Sequence, residues 1–180
     1  LRQVSIVAIL AVGMTFVILT GGIDLSVGAV MALSGTIAAG LMVNMGLPGW
    51  VGLLAGLGVG VGLGLFNGIM VAWGRMPAII VTLATMGIAR GLGLLYSGGY
   101  PISGIPSWIS WFGIGRIGIV PVPVIAMVII YALAWVLLQR TPFGRHVYAI
   151  GGNELAAKLS GVKTQMVKLT VCLLYTSPSP

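Results

Sequence analysis

Charge is scarce in this sequence: nine Lys and Arg and two Asp and Glu among 180 residues, 6% in all, where soluble globular chains carry roughly a quarter. So little charge excludes an ordinary water-facing surface. Carboxylates number two, Asp24 and Glu154, which leaves little for paired-acid catalysis. His146 and Cys172 each stand alone. An intrachain disulfide, a Cys/His metal cluster, a Ser/His/Asp triad and an HExxH helix are therefore all excluded. No GxxxxGK[ST] occurs, so the chain does not cradle ATP phosphates by itself, and any ATP-driven step needs a partner. The stretch Gly113 to Gly118 formally matches GxGxxG. It lies among Trp and Pro without a strand–turn–helix context, so it is not read as a nucleotide site, and no cofactor is expected on this chain.

What is abundant is apolar: 58% of residues are hydrophobic, 29 are glycine and mean hydropathy is +1.14. The matching solvent is a lipid bilayer. About 20 apolar residues span its core of about 30 Å, and five uncharged runs approach that length: Val4 to Thr20, Ala29 to Met45, Trp50 to Trp73, Pro77 to Leu95 and Val122 to Leu138. A sixth begins near Leu169. The expected fold is all-α, a polytopic transmembrane bundle of about five spans plus a truncated sixth. Net charge is +7, which in a soluble protein would suggest nucleic acid. Here five basic residues (Arg140, Arg145, Lys158, Lys163, Lys168) fall within 139–168, which marks a cytoplasmic loop and excludes nucleic acid. Alternation then puts Gly21 to Gly28 and Gly74 to Pro77 on the inside, and Asn44 to Gly49 and Tyr96 to Pro121 on the outside.

The absence of an initiating Met or a cleavable signal pattern suggests a fragment start. The string from Cys172 to Pro180 resembles sequencing-adapter read-through. It is expected to be non-native, leaving residues 1–171 as the transmembrane domain, with further spans to follow in the natural protein.

Glycines 52, 56, 60, 64 and 68 form overlapping GxxxG units, one slanted groove in which backbones approach closely. Intrachain packing or a dimer seam would each use it, and Gly58 and Gly62, on the opposite face, suggest a helix held between two neighbours. Asp24 or Ser26 would cap a helix starting near Leu25, or would line a polar path through a discontinuous segment. Asn67, Thr82, Thr85 and Arg90 are further path candidates. Arg90 also lies close enough to its helix end to snorkel, and threonine commonly bonds its own helix. In the basic loop, Gly151 and Gly152 break the chain, Asn153 caps a helix over Glu154 to Ser160, and Gly161 ends it. With Ala156 and Ala157 on show, that helix would dock a partner or simply connect two spans.

The strings at 11–35 (AVGMTFVILTGGIDLSVGAVMALSG), 74–92 (GRMPAIIVTLATMGIARGL), 112–116 (FGIGR) and 141–162 (TPFGRHVYAIGGNELAAKLSGV) resemble the permeases of ABC importers for simple sugars, the ribose type. The importers' EAA-and-Gly coupling pattern reads here as Leu155-Ala156-Ala157 and Gly161, with the acid displaced to Glu154; the GGN ahead of it favours sugar over branched-chain amino acids. The resemblance implies a permease of roughly ten spans in the bacterial inner membrane, pairing with a second permease subunit. It implies cytoplasmic ATPase subunits, which use the ATP, docked on Gly144, Arg145, Gly151, Gly152, Asn153, Glu154, Ala156, Ala157 and Gly161. An external sugar-binding protein would deliver the substrate, which crosses chemically unaltered. The rivals are a passive channel or secondary carrier, and an intramembrane enzyme.

Overall fold

The computed structural model describes residues 2–176; of the tail discussed above, 177–180 lie outside the described residues. Among them are nine helices and one two-stranded hairpin: α1 (Arg2–Leu19), α2 (Val27–Val43), α3 (Gly49–Ala72), α4 (Ala78–Ser97), α5 (Ser107–Ile114), β1 (Arg116–Ile117), β2 (Val120–Pro121), α6 (Val122–Arg140), α7 (Pro142–Gly152), α8 (Glu154–Leu159) and α9 (Thr164–Thr176). The fold is an all-α bundle. Helices α3, α4 and α6 are long and apolar enough to cross a membrane, while α1 and α2 are apolar but shorter. Their outward faces carry exposed Leu, Ile and Val, such as Leu54, Ile80 and Leu133, as lipid-facing surfaces do. Trp50 and Trp73, both exposed, sit 23 residues apart at the two ends of α3, about 34 Å at 1.5 Å per residue, a spacing that suits interfacial anchors.

Glycine sets the packing of α3. Gly52, Gly56, Gly60, Gly64 and Gly68 are all buried. A Cβ at Gly56 would lie 2.9 Å from the Ser34 carbonyl oxygen of α2, and one at Gly68 would lie 2.7 Å from Leu169 of α9. The ridge is thus filled within the chain, by α2 along one half and by α9 near its end, and is not free for a dimer seam. Gly58 and Gly62 have nothing within 4 Å of an added Cβ, so the described chain puts no second neighbour on that face.

The chain ends its membrane crossings at two levels. At one, Trp108 of α5 covers Gly49, and Tyr96 covers Gly40. Helix α5 buries none of its residues there, and the hairpin turns through Gly118 at φ +62. The other level, the basic end, gathers the end of α1, the start of α2, the α3–α4 turn and α7 to α9. Its core is Phe16, Val17, Val147, Ile150, Ala157, Val167 and Val171.

The supposed loop at 139–168 is mostly helix. Thr141 accepts the Gly144 N–H at 3.3 Å and Pro142 occupies the first turn, a favoured N-terminus. Phe143, Val147 and Ile150, spaced i, i+4, i+7, form the inward stripe of α7. The glycine pair therefore does not break the chain before α8 but forms the last turn of α7, and the break falls at Asn153. A Cβ at Gly151 would overlap the Leu19 carbonyl oxygen, and one at Gly144 the Leu138 carbonyl oxygen. Both glycines exist because helix α7 lies flush against other backbones.

Candidate functional site

The first device of the site is a helix break. α1 ends in a Schellman motif: the Gly22 N–H bonds the Val17 carbonyl at 3.0 Å and the Gly21 N–H bonds Ile18 at 2.9 Å, with Gly21 at φ +76. The chain then runs without regular structure through Ile23 and Asp24 before α2 begins at Val27. Asp24 does not cap that helix from the expected position, and Ser26, at the cap, makes no side-chain capping bond. Instead one carboxylate oxygen, Oδ1, accepts both the Ser26 N–H and the Ser26 hydroxyl, each at 2.7 Å.

From Ser26 the bonding continues into the bundle. The Asn67 amide of α3 donates to the Ser26 oxygen at 3.1 Å, and the Thr85 hydroxyl of α4 donates to the Asn67 carbonyl oxygen at 2.6 Å. Asp24, Ser26, Asn67 and Thr85 are exposed by 4%, 0%, 1% and 1%. Every donor in this chain of contacts points towards Asp24, a polarity that stabilises a buried carboxylate. Irregular backbone and buried polar groups at membrane depth are sustained by such partners.

Asp24 and Asn67 also form part of the wall of a cavity of about 690 Å³. Thr20 to Ile23, Val71, Ala72 and Thr82 continue the wall, and Arg75, Glu154, Leu155, Lys158, Gln165 and Lys168 bring the basic-end elements to it. Lys168 Nζ lies 2.6 Å from Glu154 Oε1, pairing α9 with α8 beside the cavity. Arg75 holds φ +52, the one positive-φ residue other than glycine among the described residues, in the turn between α3 and α4.

The remaining expected residues divide clearly. Thr82 is buried, yet its hydroxyl is used on its own helix, at the Ala78 carbonyl 2.8 Å away. Arg90 is exposed on α4 and does not line the cavity, so the structure separates it from the Asp24 group. Asn153 caps α8, accepting the Ala156 N–H at 2.9 Å. Gly161, at φ +86, closes it with the Gly161 N–H on Lys158 and the Val162 N–H on Ala157, each at 3.1 Å. Ala156 is exposed, whereas Ala157 is buried in the basic-end core and is not on show. Leu155 and Leu159 are the exposed apolar residues of α8, and Arg145 is exposed on α7. Sequence reading missed Arg75, Lys158, Gln165 and Lys168 as cavity residues. Nothing in their spacing marks them; only the fold gathers them.

A model of the family described as branched-chain amino acid transport system / permease component matches residues 1–177. The chain belongs to this permease family. Among similar proteins is the ribose import permease protein RbsC of Bacillus subtilis, 51% identical over 173 residues that cover 95% of this chain and 53% of that protein. The galactofuranose transporter permease protein YtfT of Escherichia coli is 42% identical over 175 residues, 97% of this chain and 51% of that protein. The autoinducer 2 import system permease protein LsrC of Salmonella paratyphi B is 40% identical over 171 residues, 92% and 47% respectively. The chain spans about half the length of the curated relatives it matches. No solved structure matches this member of the permease family.

Proposed function

We propose that this chain is part of the membrane-spanning permease subunit of an ATP-driven ABC importer for a simple sugar of the ribose type, in a bacterial inner membrane. The observation that carries the reading is the continuity of one cavity from the buried Asp24–Asn67 wall to Glu154, Leu155 and Lys158 of the capped helix α8. Six of the nine basic residues, Arg75, Arg140, Arg145, Lys158, Lys163 and Lys168, lie in the turns and helices at the basic end, which favours the cytoplasmic side for it. The exposed face of α8 around Ala156, together with exposed Arg145 of α7, is the docking surface for ATPase subunits, which bind and spend the ATP.

α7 and α8 share a core with α1 and α9, and Gly151 abuts the last carbonyl of α1, one residue before the turn that leads to Asp24. Movement of the docking helices would reach the cavity wall through these backbone contacts. A second permease subunit and an external sugar-binding protein complete the assembly, and the sugar crosses unaltered. Ribose uptake into proteoliposomes carrying the full-length permease, its ATPase and its binding protein tests this. The reading requires uptake that depends on ATP and on the ATPase. Uptake that proceeds without the ATPase points to the rival reading, a channel or secondary carrier.

A further inference from the structure

Asp24 has an unused acceptor. Its Oδ1 takes both bonds from Ser26, while Oδ2 accepts no hydrogen bond among the described residues. Among those residues the one sealed side-chain polar atom without a partner is Ser34 Oγ, so Oδ2 is not sealed. With Asp24 a wall residue, the space it reaches is the cavity. A carboxylate 96% buried that keeps one oxygen open towards a cavity is an acceptor waiting for a donor.

The neighbouring deep groups each already hold at least one bond within the protein. Asn67 uses its carbonyl on Thr85 and its amide on Ser26, and Thr82 uses its hydroxyl on Ala78. We propose that Asp24 Oδ2 binds hydroxyl groups of the transported solute and thereby selects a neutral polyhydroxylated molecule. This rests on the reading of the chain as a sugar permease. The charge arrangement sets the class: an anion meets the Asp24 carboxylate at the deep wall, and a cation meets Arg75 and Lys158 on the way, since Lys168 is paired with Glu154. A sugar hydroxyl donates to Asp24 and carries no charge past either group.

The test uses the assembled full-length importer with one binding protein throughout, and compares uptake of D-ribose with that of 2-deoxy- and 3-deoxy-D-ribose. Because the receptor is constant, any change in these ratios between variants reports the permease. A hydroxyl donating to a charged acceptor is worth about ten- to a hundredfold in rate, so wild type should discriminate against at least one deoxy sugar on that scale, and Asp24→Asn should bring the ratio towards one. A purely structural Asp24 would lower uptake of all three sugars together and leave the ratios unchanged, which overturns the proposal. If Asp24→Asn fails to copurify with the ATPase, Asp24→Glu keeps the carboxylate and moves it by one methylene. A changed order among the deoxy sugars then supports the assignment, and an unchanged order overturns it. A wild-type complex that imports none of the three sugars refutes the underlying permease reading instead.

Discussion

Replacing Asn67 with Leu exchanges the central link of the buried chain for an apolar side chain of similar size. Two hydrogen bonds disappear, one to Ser26 at 3.1 Å and one from Thr85 at 2.6 Å. Each is worth about 0.5–1.5 kcal/mol net in proteins, and interhelical bonds in membranes average about 0.6 kcal/mol with a maximum of about 1.7. Thr85 can recover part of its loss by turning onto the carbonyl one helical turn back, as Thr82 does. Ser26 keeps its bonds to Asp24. The expected cost of Asn67→Leu is therefore about 1–2 kcal/mol, read as a shift in denaturation midpoint of the detergent-solubilised full-length permease. The sharper quantity is the coupling with Thr85→Val. In wild type Thr85→Val removes the 2.6 Å bond, whereas in Asn67→Leu that bond is already gone, so the double-mutant cycle should show about 1 kcal/mol of non-additivity. Additivity within about 0.3 kcal/mol would refute the claim that these side chains form one network.

Gly56→Ala places a methyl 2.9 Å from the Ser34 carbonyl oxygen and should destabilise the α2–α3 pair by about 1–3 kcal/mol, seen as a lower thermal midpoint in detergent; wild-type stability would contradict the packing. Lys168→Met should cost no more than about 1 kcal/mol, because Glu154 is half exposed and such pairs are weak; a larger loss in denaturant titration would show that the pair anchors α9. Gly161→Glu sets a side chain at φ +86 and a negative charge at a helix C-terminus, disfavoured by the dipole, and should separate ATP hydrolysis from uptake while sugar binding by the external receptor is unchanged. Normal coupled transport in that variant would reduce α8 to a connector.

Hydropathy alone located the long spans, because in lipid the apolar surface is the structural signal and five such runs stand out. Helix α7 has no place in the sequence reading although Phe143, Val147 and Ile150 carry its period, since Gly151 and Gly152 read as breakers. In the fold Gly151 is a contact point with Leu19, as Gly144 is with Leu138, while Gly152 only completes the last turn of α7, a distinction only tertiary structure makes. The caps of α8 were legible, because Asn153 and Gly161 act through local geometry. Asp24 and Asn67 were recognisable as polar residues in apolar surroundings, but their joining across 41 residues through Ser26 has no local signature. For the same reason Arg90 and Thr85, both polar positions on one helix, could not be told apart: the fold buries one in the network and exposes the other.

On the proposed reading, the cavity walled by Asp24 and Asn67 opens to the cytoplasm beside α8. Val71 lines it and is half buried, so Val71→Cys in a full-length permease otherwise cleared of cysteine reports its access directly. A membrane-impermeant maleimide should label that cysteine in inside-out vesicles and leave it unlabelled in right-side-out vesicles. Labelling from the outside alone would place the cavity mouth on the opposite side and contradict a cytoplasmic opening.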